Sequence, residues 1–296
     1  MLEAAAFSLW VKHDLKKEGN GVMKKSSKWF SLAAALSVTA IVGTGCSISN
    51  GDDKKDTQSS AETKQSDENS SNSKTATNTT DKEFLLESKY FNNIKEVNGL
   101  ETIQNPDNIL ALVNKEYALP GTYEPSDLVI PNVKFSFDEK IQKRYIRKEA
   151  AKALEELFKA GKEKGYELAA VSGYRAYDRQ EVIFNNEVSQ KGEKKAKEAV
   201  AYPGQSEHQT GLAMDISSRS NGFELNEVFG GTDDGKWVQD HAYEYGFIIR
   251  YPKGKEDVTK YEYEPWHLRY VGKKAAKVIH EHGLTLEEYF NEVKKV

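Results

Sequence analysis

The chain has 296 residues, 38% of them hydrophobic and 30% charged, a balance too polar for a multi-span membrane protein. With Tyr 15, Phe 12 and Trp 4 it is too aromatic to be disordered throughout, and 42 basic against 46 acidic residues leave a net charge of −4, which argues against a nucleic acid partner. The single cysteine excludes an internal disulfide framework and any metal site built from several thiolates, so metal ligands would have to be His, Asp or Glu.

Residues 1–22 precede a basic stretch, Met23-Lys24-Lys25-Ser26-Ser27-Lys28, which is where a signal peptide should begin. Lys17-Glu18-Gly19 can be encoded by a ribosome-binding sequence, so translation is expected to start at Met23, with 1–22 a mis-assigned start. Trp29 to Gly45 carries no charge and is short for a spanning helix, giving a signal segment over 23–45. It ends in small residues before Cys46 and resembles the lipobox of bacterial lipoproteins, with Cys46 the lipidation site; an uncleaved anchor helix is the alternative. Either reading puts the remainder outside the cytoplasmic membrane. Residues 46–82 are almost entirely polar, cannot bury enough surface to fold, and read as a disordered tether into the cell wall. Residues 83–296 fit one domain with one sizeable core.

Within that domain, apolar residues at helical spacing predict a helix from Phe135 to Gly165, closed by Gly161 or Gly165. A strand follows over Tyr166–Val171, running into the turn at Ser172-Gly173, and then a helix over Asp178–Gln190. Leu212–Ile216 alternates as a strand, with Asp215 on the face opposite Leu212, Met214 and Ile216. A helix over Lys236–Tyr245, strands at Phe247–Ile249 and Trp266–Val271, and two closing helices complete the order. The last helix opens at the capping-box pattern Thr285-Leu286-Glu287-Glu288. Helices and short strands without a βαβ repeat predict an α+β fold.

Two of the histidines keep unusual company. His208 sits in a loop before Gly211, with Asp215 on the following strand, and Glu264-Pro265-Trp266-His267 supplies a second carboxylate and imidazole. Pro265 keeps Glu264 out of the helical region, so this segment is extended or bent. Two imidazoles and a carboxylate with one open position suit catalytic zinc, and a further Glu could act as base. Buried core histidines and surface carboxylates are the competing reading. His241 and the His280-Glu281-His282 run read as packing and helix-end residues, and Trp266 as either a core anchor or a cleft wall.

Ser172-Gly173-Tyr174-Arg175, Ser206-x-His208-x-x-Gly211-x-Ala213-x-Asp215 and Glu264-x-Trp266-His267, in that order, resemble the three signatures of D-alanyl-D-alanine carboxypeptidases of the VanY type and of the related L,D-carboxypeptidases of the LdcB type. That resemblance implies the small zinc domain shared with hedgehog signalling proteins, helices around a mostly antiparallel sheet. It also implies one zinc per chain on His208, Asp215 and His267, Glu264 as the catalytic base, and Arg175 as the group that stabilises the oxyanion or holds the scissile carbonyl. Gln180 and Ser206 are candidate substrate-binding groups, or else a helix-surface amide and a turn hydroxyl. Glu207 is the alternative base. The activity implied is removal of terminal D-alanine from peptidoglycan stem peptides by a membrane-tethered monomer, in the D,D- or the L,D-register. An endopeptidase of the same fold and a zinc-stabilised binding module without turnover are the competing functions. Loops 217–235 and 250–263 are expected to shape the cleft.

Overall fold

A computed structural model of the chain describes residues 80–296. The expected translation start, the signal segment with Cys46 and nearly all of the tether lie outside the described residues. Among the described residues no helix is long and apolar enough to cross a membrane.

The organising element is a four-stranded antiparallel sheet of β1 (Leu168–Ser172), β2 (Ala213–Ser218), β3 (Phe247–Tyr251) and β4 (Glu264–Tyr270), in the order β1-β2-β4-β3. Both central strands are buried on their two faces, which is why Leu212–Ile216 lacks a solvated side despite its alternation. Helix α1 (Lys148–Glu163) lays Ala150, Leu154, Leu157 and Phe158 against the sheet's apolar face, joined by Met214, Ile216, Trp237 and Leu268 in the main core. Helices α2 (Tyr177–Lys191) and α3 (Glu193–Ala199) follow β1, and α4 (Asp233–His241) precedes β3. Helices α5 (Lys273–Glu281) and α6 (Leu286–Glu292) build a second core around Leu112, Ile248, Ile279 and Tyr289. The fold is α+β, as expected.

Helix α1 starts at Lys148, thirteen positions later than the expected Phe135. Residues 142–147 form a 3₁₀ turn and a short strand, Ile146–Arg147, that pairs with Leu128–Val129. Their apolar side chains mimic helical spacing, but the backbone is committed elsewhere: the carbonyls of Lys143 and Tyr145 accept from the amides of Gly173 and Tyr174 at 2.7 Å. Gly161 lies inside the helix, where a Cβ would meet Leu168 and Trp237 at 3.1 Å. The capping box at Thr285 and Glu288 forms as its pattern predicted.

Candidate metal and catalytic site

β2 and β4 are neighbours, and their register sets Asp215 directly opposite His267. One cross-strand pair thus brings together two residues 52 positions apart in sequence. The third member comes from the loop entering β2. His208 stands in a 3₁₀ turn (Glu207–Thr210) ended by Gly211 at φ 65°, a left-handed conformation that other residues adopt at a cost. A Cβ there would also sit 2.9 Å from Arg147 and Leu128. The turn points the buried imidazole back over the sheet, where Nδ1 donates to the Gly173 carbonyl at 2.8 Å and leaves Nε2 facing Asp215 Oδ2 at 3.4 Å. His267 presents the other nitrogen: Nδ1 lies 3.1 Å from Asp215 Oδ1 and 3.8 Å from Glu264 Oε2.

Among the described residues, His208, Asp215 and His267 form the group of His, Cys, Asp and Glu side chains able to hold a metal ion, with one ligand atom each within 4.8 Å of the others. One Asp215 oxygen faces each imidazole, at 3.4 Å from His208 and 3.1 Å from His267, near the donor spacing of about 3.3 Å that zinc bonds of about 2.0–2.1 Å give. Asp215 Oδ1 is buried without a hydrogen-bond partner, an arrangement that costs free energy unless a cation completes it. The residues present fit a metal.

The charge states agree with that donor set. Burial lowers the pKa of His208, which keeps it a neutral ligand. Burial alone would raise the Asp215 carboxyl, but His208 and His267 hold it well below the usual range. Burial disfavours the charged form of His267 as well, yet the adjoining Asp215 and Glu207 carboxylates outweigh it and push the pKa up to about 9. Glu264 opens β4, where an irregularity in the β3–β4 register lies between it and Leu268. Burial pushes its carboxyl up to about 7, with the Asp215 charge adding to the effect and His267 and Arg175 opposing it. Such a group suits proton transfer at neutral pH.

Arg175 follows the Ser172-Gly173-Tyr174 turn, and its amide donates to the His208 carbonyl at 3.2 Å. The turn needs glycine at 173, since any Cβ would collide with the Tyr145 carbonyl and the Met214 methyl. The guanidinium donates to Gln180 Oε1 at 3.0 Å and more distantly to Ser172 Oγ at 3.4 Å. Gln180 is buried and donates to the Ala201 carbonyl at 2.7 Å, so its amide holds Arg175 and does not decorate the helix surface. Ser206 is buried beside His208. All seven residues line one cleft of about 320 Å³.

Of the loops expected to shape the cleft, Leu225, Glu227, Tyr251 and Tyr261–Tyr263 do so, and Trp266 belongs both to the cleft wall and to the main core. One wall went unanticipated: Ile183 to Ala201, from α2 through α3. His241 pairs with Glu244 and packs at a tilt against Trp237, and His280 stacks on Tyr243, as packing residues do.

Sequence reasoning missed the support behind the site. Glu207, the alternative base, does not face the reaction space with its carboxylate free: it is buried under His267 and bonded to Arg250 and Arg269, both fully buried. Burial would raise its pKa, but the two guanidiniums and His267 hold it well below the usual range, which makes it a weaker proton acceptor than Glu264 at neutral pH. A signal for this network was present, since an arginine inside each apolar strand, Phe247-Ile248-Ile249-Arg250 and Trp266-His267-Leu268-Arg269, demands a buried acidic partner.

Comparison with known proteins agrees with this geometry. The family model for VanY, D-alanyl-D-alanine carboxypeptidase, matches residues 143–273, which include every residue of the site. The chain is 78% identical over 274 residues to the YodJ protein of Bacillus subtilis (strain 168), covering 93% of this chain and 100% of that protein. The solved structure of the LdcB LD-carboxypeptidase, described for its peptidoglycan recognition, superposes with a TM-score of 0.71 at 82% identity, over 72% of this chain and 100% of that one. A vancomycin-resistance D,D-pentapeptidase, a VanY variant solved with Zn(II), aligns with a TM-score of 0.50 at 33% identity, over 62% of this chain and 98% of that one. The fold and site are those of a metallo-carboxypeptidase, a hydrolase. The chain belongs to the VanY family of D-alanyl-D-alanine carboxypeptidases.

Proposed function

We propose that the protein is a zinc-dependent L,D-carboxypeptidase that removes the terminal D-alanine from peptidoglycan tetrapeptide stems. The observation that carries this reading is the convergence of His208, Asp215 and His267 beside Glu264 and Arg175 in one cleft. The 82% identity to LdcB favours the L,D-register over the D,D-register. The zinc-bound pentapeptidase supports zinc as the metal, and the one candidate cluster among the described residues supports one ion per chain.

His208 Nε2, Asp215 and His267 Nδ1 would hold the zinc, which when bound supplies a Lewis acid and lowers the pKa of water to about 7. Glu264 takes a proton from the attacking water and returns it to the leaving amine, a role its pKa of about 7 suits. Arg175 stays charged and offers N–H donors to the carbonyl oxygen as negative charge develops there. Gln180 fixes the direction of that guanidinium, and Ser206 is the candidate contact for the substrate backbone.

The basic stretch, the uncharged segment and Cys46 support a lipid-anchored protein at the outer face of the cell membrane, with the domain reaching into the wall. Cys46→Ala should move the protein from the membrane fraction to the medium. Incubating the zinc-loaded protein with tetrapeptide and pentapeptide stems tests the activity: free D-alanine from the tetrapeptide is expected, larger fragments would indicate an endopeptidase, and release from the pentapeptide alone would reverse the register.

A further inference from the structure

Glu207 is a fully buried carboxylate with three partners. Its Oε1 accepts from Arg250 Nε at 2.8 Å and from Arg269 Nη1, while Oε2 lies 3.3 Å from His267 Nε2. Both arginines are anchored a second time. Arg250 reaches Glu287 on α6 through two bonds of 2.9 and 2.6 Å, and Arg269 donates to the carbonyls of Ile109 and Ala111 at 3.1 and 2.8 Å. Two carboxylates and two guanidiniums therefore sum to zero charge in a place where a net charge would be costly.

This arrangement fixes what Glu207 can offer to His267. Oε1 is committed to cations and the carboxylate has no proton to give, so Oε2 can only accept. When the ring is neutral, as a metal ligand must be, the hydrogen must then sit on His267 Nε2, and the lone pair on Nδ1, the atom that faces Asp215 and Glu264.

We propose that Glu207 is a positioning residue for the metal site, holding His267 in the tautomer whose Nδ1 can ligate and raising that nitrogen's basicity through the bond behind the ring. The inference rests on the zinc reading above. Substituting the amide makes the point sharp. In Glu207→Gln the two guanidiniums keep the amide oxygen, so the amide nitrogen faces His267 Nε2 and can only donate. The ring is then driven to the opposite tautomer, with the proton on the nitrogen that should bind zinc.

The test is zinc affinity, read by competition with a chromophoric chelator, in the wild type, Glu207→Gln and Glu287→Gln. Glu207→Gln should bind zinc about 10–100-fold more weakly. Glu287→Gln, one link further out, should lower the melting temperature but change affinity less than about threefold. Equal losses in the two variants would mark general loosening and overturn the proposal, as would unchanged affinity in Glu207→Gln. Should Glu207→Gln fail to fold, ¹⁵N spectra of the zinc-loaded wild type decide: zinc on His267 Nδ1 with a proton on Nε2 is expected, and zinc on Nε2 overturns it. A wild type that binds no zinc defeats the functional reading and the inference together, whereas a zinc-binding wild type matched by Glu207→Gln defeats the inference alone.

Discussion

His267 lies between Asp215 on one side and Glu207 on the other, and that position gives the metal-free site its own pH behaviour. A histidine whose pKa rises from 6.5 to about 9 on folding adds stability that is complete below pH 6.5 and is lost as pH climbs through 9. Glu264 acts earlier in the same direction, because ionising a carboxyl raised to about 7 costs folding energy between pH 4.5 and 7. The metal-free protein should therefore melt at lower temperature at pH 9.5 than at pH 6.5, the histidine alone contributing about 3 kcal/mol. Zinc must displace the Nδ1 proton, so stabilisation by zinc should grow over the same range, with about one proton or more released on binding at pH 7. Calorimetry in buffers of different ionisation enthalpy measures the release; none at pH 7 would mean that His267 is already neutral. Glu264→Gln separates base from ligand. It keeps size and shape, so zinc should remain bound while kcat falls by about 10²–10⁴ and KM changes little. Loss of zinc with activity would instead make Glu264 a ligand.

At the scale of elements, the site depends on two tight turns braced against neighbouring backbone. Gly173→Ala drives a methyl into the Tyr145 carbonyl and should displace Arg175. The expected cost is about 1–3 kcal/mol, with most activity lost, measured by urea unfolding beside hydrolysis rates. Thr285→Ala removes the capping box of α6, the helix that carries Glu287, and should cost about 1 kcal/mol while leaving catalysis nearly intact. The sequence made some of these elements readable and hid others for physical reasons. The capping box is local chemistry, and it formed where its pattern stood. The start of α1 was hidden because Ile141, Tyr145 and Ile146 share helical spacing, while the Lys143 and Tyr145 carbonyls serve the Gly173-Tyr174 turn, 29 or more residues away, and Ile146 pairs with Val129. Short helix α3 carries one buried residue, Ala196, too little apolar pattern to betray it.

For the whole molecule, the reacting groups were legible and their support was not. His208, Asp215, Glu264, His267 and Arg175, the candidate reacting groups, fall in the short motifs that carry the resemblance to the family. Spacing alone left core histidines as a competing reading; the register that sets Asp215 opposite His267, with His208 beside them, favours the metal reading over it. Glu207 was visible as a residue, but its partners Arg250 and Arg269 lie 43 and 62 positions away, and only the sheet brings them under His267. The measurement that bears most directly on the central claim is mass spectrometry of a tetrapeptide stem incubated with the protein, first metal-stripped and then reloaded with one equivalent of zinc. Loss of hydrolysis on stripping and its return on reloading, with free D-alanine as the one small product, is the expected result; undiminished release of D-alanine from the stripped protein would contradict it.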